Sequence, residues 1–144
     1  MSEMGRLRDL RREERERIEA ALKDCLEKEE RILFAYLHGS YAEGRLFRDI
    51  DLSVFVDESR VSKEKSLNFE VSFSVQLENI IRLPVDVKVI NYAPLAFQYY
   101  STTGTLLMCR DDDFRVDFLT RIRGLYFDFR PSSQRFLMEM LDAE

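Results

Sequence analysis

The segment HGSYAEGRLFRDIDLSVFVD, residues 38–57, sets two glycines, Gly39 and Gly44, around a serine. Two aspartates, Asp49 and Asp51, follow at the head of an apolar run. Side chains alternate sides along a strand. A strand over 50–56 therefore carries Ile50, Leu52, Val54 and Val56 on one face, with Asp49, Asp51, Ser53 and Phe55 on the other. The two carboxylates then share a face. Ionised and unpaired they repel, and one tends to take up a proton. A divalent cation removes that conflict. Hard oxygen ligands suit Mg²⁺, which takes one or two carboxylates and fills its shell with water and substrate phosphates.

A third carboxylate stands further on, in PVDVKVIN (84–91). Val85, Val87 and Val89 face one way, Asp86 and Lys88 the other, and Pro84 suits a strand start. If this strand lies beside the first, Asp49, Asp51 and Asp86 converge. Three carboxylates can hold two ions roughly 3.5–4 Å apart, the arrangement used for in-line displacement at phosphorus. The turn before them fits the same chemistry. Gly39 lets backbone approach a ligand closely. The Ser40 hydroxyl and the amides after it can bond phosphate oxygens, and Arg45 and Arg48 can neutralise a triphosphate.

The rest of the chain supplies a frame. Its 144 residues favour a single domain, 1–144, with a core that needs no disulfide or structural metal. Apolar residues make up 45% and charged residues 34%, with a net charge of −5, which disfavours broad binding to duplex nucleic acid. Cys25 and Cys109 stand far apart and read as reduced core residues. No run is long and apolar enough to span a membrane, and the charged N-terminus does not look like a signal, so a cytoplasmic protein is expected.

Helix formers predict an N-terminal helix over about 6–30, with Leu10, Ile18, Leu22, Cys25 and Leu26 as a partial apolar stripe. ILFAYLH (32–38) reads as a buried strand ended by Gly39. Residues 62–82 fit both periods, and their length before Pro84 favours a helix. A helix over 94–103, a strand over 105–109 and a long helix over 112–128 follow, the last with Phe114, Phe118, Ile122, Leu125 and Tyr126 inward. Pro131 then precedes a final short helix, taking the C-terminal helices to about 141.

Each feature has a plain structural reading. A glycine–serine pair after a strand is usually a turn, an Asp-Ile-Asp at a strand start is usually an exposed end, and arginines are usually solvated. His38, the only histidine, reads as a packing or capping residue with no catalytic role, and Tyr36 and Tyr41 as core or rim aromatics. The combination, in this order and at these spacings, rarely arises by chance. Strand, Gly-Ser, Gly, Asp-x-Asp and a later strand Asp resembles the nucleotidyltransferase superfamily of the DNA polymerase β type. More narrowly it is similar to the minimal nucleotidyltransferases of bacteria and archaea, tightest over Tyr36–Asp57 and Pro84–Asn91.

The resemblance implies an α/β (α+β) fold, a mixed sheet flanked by helices. It puts the family's Gly-Ser on Gly39 and Ser40, its second glycine on Gly44, its paired ligands on Asp49 and Asp51 and its third carboxylate on Asp86. It implies two Mg²⁺ ions, ATP as substrate, and transfer of AMP to a hydroxyl. In the paired systems of this family that hydroxyl is a tyrosine of a HEPN-domain toxin, to which the nucleotidyltransferase is the antitoxin. One departure stands out. Eight residues, YAEGRLFR, separate Ser40 from Asp49, two fewer than is usual, so the helix after Ser40 is expected to be trimmed or its loop tight. Most of the chain goes to the nucleotide side, so a partner is expected to complete the acceptor side. Leu137, Met138, Met140 and Leu141 are candidates for its docking surface, with cover of the protein's own core as the plain alternative. The rival readings are a binding module that occludes its partner without turnover, a transferase acting on a small molecule, and a metal-dependent nuclease. The oligomeric state stays open.

Overall fold

The computed structural model describes residues 7–128. Its elements run α1 (Arg12–Lys28), β1 (Ile32–His38), α2 (Gly39–Ala42), β2 (Ile50–Val56), α3 (Ser66–Ile81), β3 (Val85–Val89), α4 (Leu95–Ser101), β4 (Thr105–Cys109) and α5 (Asp112–Asp128). The four strands form one mixed sheet in the order β3-β2-β1-β4. β1 pairs antiparallel with β2 and with β4, while β2 and β3 run parallel. The final short helix and the proposed docking residues Leu137–Leu141 lie outside the described residues.

The parallel pair explains α3. Two adjacent parallel strands need a crossover, usually a helix, and that resolves the double periodicity of residues 62–82. α3 buries Phe69, Phe73 and Leu77, spaced four apart, against the sheet. The remaining apolar line of the same helix, Leu67, Val71 and Val75, stays 66%, 56% and 49% exposed.

Helices cover both faces of the sheet. On one, Ile50, Leu52 and Val54 of β2 and the three valines of β3 pack with Leu22 and Leu26 of α1 and the α3 aromatics. On the other, Phe34, Tyr36 and Phe55 meet Phe118, Leu119 and Ile122 of α5. A register shift between Ile32 and Phe34 lets Ile32, Ala35 and Leu37 share the first face although their spacing is uneven. Arg110 ties the layers together. Its guanidinium donates to the carbonyls of Leu26, Glu27, Glu29 and Ile32 at 2.7–3.0 Å, satisfying the acceptors left over at the end of α1.

Several sequence expectations change. α1 begins at Arg12, not near residue 6. Arg8 is drawn into a two-bond bridge with Phe47 (2.8 and 3.2 Å), and the helix is capped where the Arg11 amide donates to Glu14 Oε1. β3 is shorter than 84–91 at both ends, yet the Asn91 side chain continues its ladder, bonding the amide and carbonyl of Val56. α4 is likewise shorter than 94–103. In α5, Phe114 and Leu125 are about 40% exposed rather than inward, although the Phe114 ring still touches Phe55. The buried stripe is Phe118, Leu119, Ile122 and Tyr126.

Leu77→Ala, at a fully buried position, is expected to cost about 2–5 kcal/mol in urea unfolding. Val71→Ala, on the exposed line of the same helix, is expected to cost about 0.5 kcal/mol or less. Equal losses would mean that α3 is rotated from the orientation described.

Candidate active site

β1 ends and β2 begins at the same edge of the sheet, and there the sequence motif folds back on itself. His38 is the register partner of Asp51 across the antiparallel pair, and Asp51 is the register partner of Asp86 across the parallel pair. His38, Asp51 and Asp86 therefore form one row across three strands. They lie on the face opposite the valines, and the next row is Tyr36, Ser53 and Lys88.

Gly39 makes the fold-back feasible. Its φ is +76°, and a Cβ there would overlap Asp51 Oδ2. Any larger residue would have to displace that carboxylate. α2 is a single turn, closed by Glu43 N to Gly39 O and followed by Arg45 N to Ser40 O. This single turn and the bend after it span the short stretch between Ser40 and Asp49. α1 fixes it from behind. Tyr41 is buried with its hydroxyl 3.0 Å from Glu19 Oε2, and the Arg15 guanidinium lies over its ring and donates to its carbonyl at 2.8 Å.

The carboxylates differ in surroundings. Asp49 sits in the bend before β2. Desolvation pushes its carboxyl above the usual range, Asp86 and Glu78 push it further, and Arg48 opposes them. Asp51 is half-buried against Gly39. Asp86 is exposed, 3.8 Å from Lys88 Nζ. Among the described residues no three His, Cys, Asp or Glu side chains converge closely enough to cage an ion. The expected convergence is therefore one of neighbouring, mutually repelling carboxylates rather than a closed shell. Their hard oxygens and excess negative charge suit Mg²⁺, whose remaining positions water and phosphate can fill.

The remaining candidates are less tightly placed. Ser40 is half-buried on α2. Gly44 also has φ +76°, with open space where a Cβ would stand, so its part is in the turn. Arg45 pairs with Glu43 at 2.8 Å and Arg48 is exposed beside Asp49.

One neighbour, Glu78, escaped the sequence reading, and another, His38, was read there as packing. Glu78 reaches back from α3 to accept the Val85 amide at 2.9 Å and adds its charge to Asp49. No local signal marks it. His38 is buried, as a packing role requires, with Nε2 2.8 Å from Ser53 Oγ and its ring against the edges of Phe97 and Tyr100. Its Nδ1 has no partner among the described residues, and with Gly39, Ala42, Tyr100 and Gly104 the ring lines a cavity of about 200 Å³ beside the turn. Its place directly before Gly39 was the signal available.

The family model described as Polymerase beta, Nucleotidyltransferase matches residues 20–113, more than half of the chain and all of this motif. The chain belongs to the polymerase β nucleotidyltransferase family. Solved structures share its fold. A toxin–antitoxin structure with AMP-PNP is similar at 18% identity and TM-score 0.64, covering 85% of this chain and 98% of that one. A complex of a tri-AMPylated Shewanella oneidensis HEPN toxin with an MNT antitoxin is similar at 16% identity and TM-score 0.63, covering 88% and 98%. An MntA–HepT toxin–antitoxin structure is similar at 15% identity and TM-score 0.58, covering 91% and 99%. No curated protein sequence matches the chain. Among the described residues no helix is long and apolar enough to cross a membrane.

Two outcomes follow from this geometry. Gly39→Ala is expected to cost about 1–3 kcal/mol in thermal or urea unfolding, from its backbone and the crowded Asp51, whereas Gly44→Ala loses only about 1 kcal/mol. Burial pushes the His38 imidazole down to about 4. The unfolded chain therefore binds its proton first, and the stability present above pH 6.5 falls as the pH drops from there toward 4. That loss should reach about 3 kcal/mol. Urea midpoints of wild type and His38→Gln across this window isolate it: the two should diverge, and parallel curves would contradict a buried neutral His38.

Proposed function

We propose that this protein is a nucleotidyltransferase antitoxin that moves AMP from ATP to a hydroxyl, a tyrosine of a HEPN-domain toxin, in the cytoplasm. The observation that carries the reading is the in-register placement of Asp51 beside Asp86 on adjacent parallel strands, next to the Gly39 turn. The family and the shared fold with toxin–antitoxin structures, one with an ATP analogue and one with an AMPylated toxin, support the substrate and partner.

In this reading the acceptor oxygen forms a bond to the α-phosphorus as the bond to the β-phosphate bridging oxygen breaks. Pyrophosphate leaves, and Asp86 takes the hydroxyl proton. Asp49, Asp51 and Asp86 would hold two Mg²⁺ ions, which neutralise the triphosphate and lower the pKa of the attacking hydroxyl. Gly39 admits the phosphates close to backbone, and Ser40 and the amides of α2 steady their oxygens. Gly44 shapes the same turn. Arg48, and Arg45 once released from Glu43, balance charge that the carboxylates cannot.

A second reading, binding that occludes the toxin without turnover, draws on the open arrangement of the carboxylates. One experiment separates the two. The protein is incubated with the toxin, Mg²⁺ and α-labelled ATP, and label on the toxin is followed. Transfer is expected, falling at least about a hundredfold in Asp51→Asn and in Asp49→Ala. Full transfer by Asp51→Asn would defeat the mechanism. Silencing of the toxin with no label transfer would leave occlusion as the function.

A further inference from the structure

We propose that the cavity between Arg31, Arg60 and the start of α3 is a second anion site, built for a phosphomonoester on an apolar body the size of a nucleoside monophosphate. The cavity measures about 350 Å³, within the range of small-molecule sites. Arg31, Arg60 and Lys65 line it, and among the described residues no Asp or Glu does, on a chain whose net charge is −5. Val61, Phe69 and Phe73 add an apolar floor. Asn68, Ser72 and Gln76, one turn apart along α3, supply neutral polar groups on the same wall.

Of the carboxylates closest in sequence, Glu29 pairs with Arg31 itself, and Glu29 and Asp57 both feel the charge of Arg60. Glu29 takes two bonds from Arg31, through Nε (2.8 Å) and Nη2 (2.9 Å), which leaves the Nη1 edge of that guanidinium without a partner among the described residues. Asp57 Oδ1 accepts from the amide and hydroxyl of Ser59, and Glu58 accepts from Asn91. Among the described residues neither Arg60 nor Lys65 has a carboxylate within ion-pair distance. The Arg31 guanidinium lies 4.8 Å over the Phe69 ring, which sets the cation at the edge of the apolar floor. Arg60 and Lys65, the remaining Nη1 edge of Arg31 and an apolar surface side by side are the complement of a phosphate joined to a flat organic group.

This site is not the one for the transferred nucleotide. Arg31 precedes β1 and Gly39 follows it, so the two lie a strand length apart, about 23 Å. The cavity is also on the α3 side of the sheet, whereas Asp51 and Asp86 face the other way.

The test is calorimetric titration of the full chain with AMP in magnesium-free buffer, with ¹⁵N amide shifts to locate it. Saturable binding is expected, with shifts at Asn68, Phe69, Ser72 and Gln76 and none at Gly39–Gly44. Adenosine should bind at least about tenfold more weakly, as should AMP to Arg60→Ala/Lys65→Ala, the loss expected when charge-assisted bonds to phosphate are removed. Ser72→Glu, which adds a negative charge at an exposed position, should abolish AMP binding without altering the fold, read by its amide spectrum. Equal binding of adenosine, shifts confined to Gly39–Gly44, binding unaffected by Ser72→Glu, or no saturable binding would each overturn the proposal.

Discussion

β3 has one apolar face, and burying it decides where Asp86 points. Val85, Val87 and Val89 pack into the core shared with α1 and α3, so period-two geometry turns Asp86 and Lys88 the other way. The parallel ladder to β2 then fixes Asp86 opposite Asp51. A slip of one residue would put three valines in solvent and an aspartate and a lysine in the core. The hydrophobic effect thus sets the position of the acidic row more firmly than any contact the carboxylates make. β3 is also an edge strand, with outward amides that invite another chain. Glu70 and Glu78 of α3 accept the Val89 and Val85 amides at 2.8 and 2.9 Å and occupy that edge.

That protection has an electrostatic consequence at the site. The carboxylate that satisfies Val85 also raises the proton affinity of Asp49, adding to desolvation and to Asp86. Fold and site therefore pull against each other. Glu78, brought in to close the edge, and Asp86, part of the row, both add repulsion at Asp49 on top of its desolvation. Lys88 relieves little, since it is half exposed and 3.8 Å from Asp86. The negative charge left over favours a cationic or metal-bound ligand, and the same excess is a stability cost of the free protein.

What could be read from the chain followed from which constraint was local. β1, β2, β4 and α5 have the expected bounds, and in β1 and β2 the buried faces agree with them as well. The start of α1 did not. Residues 7–11 have helix-forming composition, but Arg8 is held by a backbone bridge to Phe47, a partner nearly forty positions away that no local pattern reveals. α3 was double-valued in sequence because its apolar residues fit both periods, and the crossover demanded by the parallel pair decided it. Within the site, the side-by-side aspartates and the glycine turn were visible because strand alternation places them. Glu78 was not, because it arrives from a different element. The inward line of α5 was only partly legible. Leu119 replaces Phe114 and Leu125 because the helix meets the sheet across two adjacent positions, 118 and 119, rather than a single row.

The two candidate sites lie at opposite ends of the strands. Asp49, Asp51 and Asp86 gather where β2 and β3 begin, and Arg31 and Arg60 lie at the other end of β1 and β2. Screening over about 8 Å at physiological salt means the two ends hardly feel each other's field across a strand length of about 23 Å. What they share is α3. Its first turns carry Asn68, Phe69 and Ser72 into the cationic cavity, and its last turn carries Glu78 to Val85 and toward Asp49. Phe69, Phe73 and Leu77 lock the helix between them to the sheet. Electrostatic reach between the two ends is therefore short, and packed structure, α3 together with β1 and β2, is what joins them.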